Sequence, residues 1–206
     1  TPSSSSAASD VYKRQVNTHS HQRELESIGI QNLKIWNRAI DKSIFRPIIS
    51  EELDPYYLYV GRVSREKNLE AFFSLDLDLP KVVVGEGPQL KEYKKKFSEV
   101  NFIGYKFGDE LAEIYSNARV KVFPSLTDTF GLVMLEANAC GTPVAAYPVT
   151  GPIDVISNGL NGYYDQDLKN AIEKACSIQR ASCLEFADQF SWGNVAKQFL
   201  DTLVRL

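Results

Sequence analysis

The sequence is poor in the residues that build covalent and metal frameworks. Its 206 residues hold three cysteines, Cys140, Cys176 and Cys183, an odd number with no C-x-x-C spacing. That argues against a disulfide framework and a cysteine-based zinc site, and fits a reducing cytoplasm. Histidine is as scarce: His19 and His21 form an H-x-H with no further ligand in view, and the pair reads as surface. No run of about 18 apolar residues occurs, so no span of a membrane is expected, and no secretory signal is visible. A dominant charge is also missing. With 23 Lys and Arg against 26 Asp and Glu, the net charge of −3 gives no pull toward nucleic acid or an anionic membrane. Methionine is nearly absent. Its one copy, Met134, is no plausible start residue, so the sequence is expected to be a fragment lacking residues upstream.

What is present is ordinary for a globular chain: 44% hydrophobic and 24% charged residues, at a length for one full domain with extras. Residues 1–15, TPSSSSAASDVYKRQ, are Ser/Ala-rich without periodicity and read as a disordered or non-native lead. A helix near 20–28, a strand at 33–36 and a loop occupy 16–40. From 41 to 190, apolar strands of four to six residues alternate with helices: YYLYV, KVVV, VNFI, VKVF and PVAAY. A last helix in 191–206 is expected to be capped by Ser191. Alternating strands and helices give an α/β, Rossmann-like doubly wound parallel sheet with helices on both faces. In such sheets ligands bind beyond the carboxyl ends of the strands, so the residues just after each strand carry the information.

After the first strand of this domain stands G-R-V-S-R-E-K-N, residues 61–68. Gly61 lets the backbone turn close to a ligand. Arg62 and Lys67 bracket the turn, and two cations beside helix N–H groups suit a phosphate or diphosphate. A solvated charged turn, with Glu66 or Glu70 pairing Arg65 or Lys67, explains the same residues. The turn G-E-G-P (85–88) is a weak signal alone. In I-G-Y-K, exposed amides around Gly104, Tyr105 and Lys106 suit the edge of a base, though a simple turn suffices. The stretch FPSLTDTFGLVMLEANACG, 123–141, says most. Thr127, Asp128 or Thr129 is a ready N-cap for the helix that follows. Capping does not explain Glu136, an acid in the second turn of an otherwise apolar helix. Helical side chains lean toward the N-terminus, so Glu136 points back to the helix mouth, where a partly dry carboxylate suits paired hydroxyls. The backbone N–H groups of Phe130, Gly131 and Leu132 stand at the positive end of that helix.

Together G-R-V-S-R-E-K-N, V-V-V-G-E-G-P, F-I-G-Y and P-S-L-T-D-T-F-G-L-V-M-L-E-A-N-A-C-G-T-P-V resemble, in order and spacing, the group-one (family 4) retaining glycosyltransferases of the GT-B fold. The resemblance covers about 30 to 190 and concerns the second, donor-binding domain of the family. It implies that Arg62 and Lys67 neutralise a leaving diphosphate and that Asp128 holds donor-sugar hydroxyls, the three together forming the catalytic set. It also implies that Glu136 holds ribose hydroxyls, that the amides of 130–132 orient sugar and phosphate, and that Gly61 and Gly104–Lys106 border the nucleotide. The family pattern is an acid, seven residues, then glutamate, and its first acid is usually Glu, so Asp128 departs by one methylene. The implied partner is a UDP- or GDP-sugar. Residues 16–40 would be the tail of an N-terminal acceptor domain and its linker, and 191–206 a crossover helix back to it.

Fixed cations and amides aimed at a departing diphosphate lower the barrier without a metal, so no metal or other cofactor is expected. The D-x-D pairs Asp76/Asp78 and Asp165/Asp167 do not follow strands where a metal site would need them. KEYKKKF (91–97) is a candidate for lipid contact because some relatives glycosylate lipids, but a solvated helix face is favoured. The expected setting is thus the cytoplasm, with peripheral membrane contact left to the full-length enzyme. Two other readings remain: a truncated nucleotide-sugar-binding module that transfers nothing, and a nucleotide-sugar epimerase of the same architecture.

Overall fold

The computed structural model describes residues 14–48, 54–128 and 130–202. Its main sheet has six parallel strands: β3 (Tyr56–Val60), β4 (Lys81–Val84), β5 (Asn101–Gly104), β6 (Ala118–Phe123), β7 (Val144–Ala146) and β8 (Gly162–Tyr164). Their order is β5-β4-β3-β6-β7-β8. β3 is buried along its whole length, as a central strand covered on both faces must be. Its residues alternate between two cores. Tyr56, Leu58 and Val60 join one with helices α4 (Gly108–Asn117), α5 (Leu132–Ala139) and α8 (Arg180–Asp188). Tyr57 and Tyr59 join the other with α2 (Leu69–Phe73), α3 (Leu90–Lys96) and α7 (Leu168–Ala175). The chain leaves β3 toward β5, then returns along α4 to β6 on the other side of β3. That reversal opens a crevice beyond the carboxyl ends of β3 and β6, the place where such sheets bind ligands.

Two further strands, β1 (Arg14–Val16) and β2 (Leu33–Ile35), flank α1 (His19–Ser27) in a parallel sheet of their own. β1 begins inside the stretch read as lead: Arg14 and Gln15 are paired strand residues, and the rest of that lead lies outside the described residues. This unit leans on the main domain. The Ser20 amide donates to Asp154 Oδ1 (3.0 Å), and Trp36 packs on Phe199 of α9 (Trp192–Thr202), ring centroids 5.1 Å apart. The Asn194 amide donates to Ser191 Oγ at 3.4 Å, a cap on α9 as expected.

The helix expected from Lys67 onward is broken. A 3-10 turn, Arg65–Lys67, ends at Asn68 in the left-handed region (φ 52°), and α2 starts after it. The Asn68 side chain donates to the carbonyl of Pro124 (3.1 Å), tying the turn to the end of β6. A second polar hub lies opposite, where α5, α6 (Pro152–Val155), β7 and β8 meet. Asn138 and Asn161 are fully buried, and Asn161 Nδ2 donates to Asn138 Oδ1 (2.8 Å) and the Val155 carbonyl (3.0 Å). Asn161 Oδ1 accepts the Ser157 amide at 2.7 Å. Asn161→Ala strands these buried groups and should cost about 1–3 kcal/mol in urea unfolding.

Candidate functional site

The crevice is floored by backbone turns set at the ends of β3, β4 and β5. The Gly61 amide donates to the Val84 carbonyl (3.0 Å), the Gly85 amide to the Gly104 carbonyl (2.8 Å), and the Val63 amide to the Glu86 carbonyl (2.8 Å). The turns stack so closely that a Cβ on Gly85 would lie 2.0 Å from the Gly61 carbonyl oxygen. Two cavities open on either side of the Gly61–Arg62 turn, which lines both. The larger, about 380 Å³, is bordered by Glu86, Tyr105, Lys106 and Glu136. The smaller, about 210 Å³, is bordered by Tyr59, Lys67, Asp128, Gly131 and Leu132.

Asp128 does not cap α5. The helix begins at Leu132, with Gly131 (φ 74°) as its cap residue, so Asp128 stands too far upstream. Its carboxylate instead meets Lys67 Nζ at 2.7 Å, in a pair largely shielded from water, side chains 26% and 19% exposed. Thr129 lies outside the described residues. Arg62 is 67% exposed and pairs with Glu66 across 4.0 Å. The surface pairing expected for Lys67 with Glu66 or Glu70 is therefore replaced by a cross-site pair. Glu70 binds Lys96 (2.5 Å), one of the KEYKKKF lysines, on the exposed face of α3.

Glu136 stands in the second turn of α5 and lines the larger cavity. Its Oε2 accepts the Tyr115 hydroxyl at 2.9 Å. Burial pushes the carboxyl above its usual range, and the Tyr115 hydrogen bond and the Lys121 charge pull it back down. Tyr115 is itself fully buried, and burial with the neighbouring carboxylate drives its phenol well above the ordinary value, so it remains a donor. Gly104 and Phe130 line neither cavity. Gly104 carries the β5 turn, and the Phe130 ring is buried in the core. Tyr105 is 69% exposed beside Phe107, and Lys106 pairs with Glu110. Among the D-x-D acids, Asp78 accepts the Tyr57 hydroxyl (2.8 Å), Asp165 pairs with Lys174 (3.4 Å), and Asp167 caps α7.

Residues 41–188 match the family model of the glycosyl transferases group 1. The chain belongs to this family. Among its curated relatives is a GDP-mannose-dependent alpha-mannosyltransferase of Corynebacterium glutamicum, 32% identical over 151 residues that make up 68% of this chain and 37% of that protein. A sulfoquinovosyl transferase of Arabidopsis thaliana is 34% identical over 146 residues, 63% of this chain and 29% of that protein. This chain thus spans about a third of such relatives. The fold is that of solved GT-B glycosyltransferases. Anabaena HepE in complex with UDP superposes with a TM-score of 0.75 at 18% identity, over 91% of this chain and 62% of that one. Sucrose-phosphate synthase from Thermosynechococcus elongatus gives 0.76 at 24% identity, over 91% and 56%. No helix among the described residues is long and apolar enough to cross a membrane.

The candidate site holds residues that the strand-end reading passes over. Glu86 borders the larger cavity from a turn treated as a weak signal. Tyr115 lies on the buried stripe of α4 with Leu111 and Ala112, where a phenol needs a partner. Lys121 is the clearest miss: in VKVF it is a buried charge inside a central strand, a position where lysine is almost never found unpaired.

Proposed function

We propose that this chain is the donor-binding part of a retaining hexosyltransferase that uses a UDP- or GDP-sugar. Glu136 takes the ribose hydroxyls in the larger cavity, whose outer wall of Tyr105 and Lys106 borders the base. Arg62, shared by both cavities, and Lys67 neutralise the diphosphate. Asp128, beside Lys67 in the smaller cavity, takes hydroxyls of the donor sugar, and the amides of 130–132 orient sugar and phosphate. Departure of the nucleoside diphosphate builds negative charge between these cations, and groups fixed in advance stabilise it without reorganising. No metal has a part in this proposal. The acceptor and its own contributions would come from an N-terminal domain, of which the β1-α1-β2 unit is the tail, and the setting would be cytoplasmic. The carrying observation is the placement of Glu136: a half-buried carboxylate, anchored through one oxygen by Tyr115 and bordering the cavity next to Arg62. The names of the relatives support the donor class, one GDP-mannose-dependent and one neighbour seen with UDP.

Calorimetric titration with UDP, GDP, UDP-glucose and GDP-mannose tests this reading. Glu136→Ala should weaken binding by about 1–3 kcal/mol, the loss of a buried hydroxyl pairing. Unchanged affinity in a variant that folds normally would remove the ribose role.

A further inference from the structure

Lys121 of β6 has no exposed surface. Among the described residues its Nζ makes one hydrogen bond, to the neighbouring Val122 carbonyl (3.1 Å), and no carboxylate lies within salt-bridge distance of it. The ammonium rests instead on two aromatic rings, Tyr59 at 5.1 Å and Phe123 at 5.2 Å from their centroids. Cation–π contact offsets only part of the loss of water around a buried ammonium. A residue such as methionine would fill the same space without that loss, so packing alone does not account for lysine here.

The two rings give the charge its address. Both line the smaller cavity, and Lys121 lies behind them. The Tyr59 hydroxyl donates to the Arg62 carbonyl at 2.9 Å, holding the Gly61–Arg62 turn. The Phe123 ring stands 3.2 Å from where a Cβ would sit on Gly131, against the entry to α5. The ammonium is thus one ring away from both turns that frame the cavity. The charged and titratable groups around it are Glu136 from α5, Lys67 from the 3-10 turn, Asp128 from the loop after β6, and Tyr59 of β3, with Tyr115 of α4 acting through Glu136. Burial brings its proton affinity down to about 7, Glu136 and Asp128 raise it, and Lys67 lowers it.

We propose that Lys121 is a positioning residue: a buried cation behind the Tyr59 and Phe123 rings that strengthens binding of a nucleotide-sugar diphosphate while it carries its proton. This rests on the donor reading of the two cavities. A diphosphate diester has no group that titrates near neutral pH, so the protein side governs any pH dependence of its binding. An anion in the cavity favours the protonated lysine. Affinity therefore falls as pH rises through about 7, and binding takes up protons on the alkaline side of that point.

The test is calorimetry of the full chain with UDP-glucose and with GDP-mannose, from about pH 6 to about pH 9, in buffer pairs of different ionisation enthalpy to count protons. The wild type should lose affinity about three- to tenfold across this range and take up protons at the upper end. Lys121→Met should bind with the weaker affinity at every pH, with a flat profile and no uptake tied to this step. Lys121→Arg, which keeps the charge, should restore the tighter binding without the decline. Wild-type profiles that are flat, or a Met variant that keeps the wild-type affinity and profile, would overturn the role of Lys121 while leaving the donor reading standing. No binding of either sugar nucleotide by the wild type at any pH would overturn both.

Discussion

Lys121→Met is expected to make the protein more stable at neutral pH, although it removes a site-adjacent charge. The sign follows from the proton. In the unfolded chain the lysine holds its proton up to the ordinary 10.5, and in the folded chain it gives it up at about 7. Below about 7 the folded protein bears the full cost of the buried ammonium. As pH rises from there toward 10.5, the unfolded state binds more protons than the folded one, and the wild type gains stability. A tenfold change in proton affinity is worth about 1.4 kcal/mol, so the cost at low pH is on the order of 5 kcal/mol. Methionine removes it. Urea unfolding should show the variant ahead by that order at about pH 6, with the gap narrowing steadily as pH rises. A Met variant that is less stable at every pH would mean that the ammonium is compensated where it stands. Stability given up beside a functional site is a common trade, and Lys121 is the residue that would carry it at the candidate site.

Gly85→Ala should have a large, purely steric effect at the crevice. The added Cβ would meet the Gly61 carbonyl oxygen at 2.0 Å and its carbon at 3.0 Å, both backbone atoms with no rotamer to change. The residue also holds φ of +130°, a region that side chains avoid. The turns after β3 and β4 would have to part, giving up the Gly61–Val84 and Gly85–Gly104 hydrogen bonds that stack them. A loss of about 4 kcal/mol or more is expected, enough to leave much of the protein unfolded. Gly104→Ala is the matched control. It shares the positive φ (+77°), but nothing lies within 4 Å of its added Cβ, so it should cost only about 1–2 kcal/mol. Similar losses in the two variants would show that the stacking of the turns is not what sets the geometry here.

The alternation of apolar strands and helices was legible because β3, β4 and β6 are mostly buried on both faces and therefore read as mainly apolar runs. The strand-end turns were legible for the same reason: glycine and charge stand where an apolar run stops. β8 was not, because its three residues sit between polar turns and are fixed by a partner strand, β7, that lies far from them in sequence. The break at Asn68 depends on a carbonyl 56 residues away, which no local propensity encodes. Asp128 shows the limit most plainly. A local rule offers it as one of three helix caps, whereas its carboxylate pairs with Lys67, 61 residues upstream. Lys121 left a local trace, a charge within an apolar strand, but its meaning needed the rings of Tyr59 and Phe123 brought beside it by the fold.

The central claim is that Glu136, Arg62, Lys67 and Asp128 form one nucleotide-sugar site across the two cavities. A crystal structure of the chain with UDP-glucose or GDP-mannose tests it most directly. The account predicts ribose hydroxyls within hydrogen-bond distance of the Glu136 carboxylate, the diphosphate between Arg62 and Lys67, and the Asp128 carboxylate turned to the sugar. A nucleotide bound elsewhere, or one in the crevice whose ribose leaves Glu136 in contact with Tyr115 alone, would contradict it.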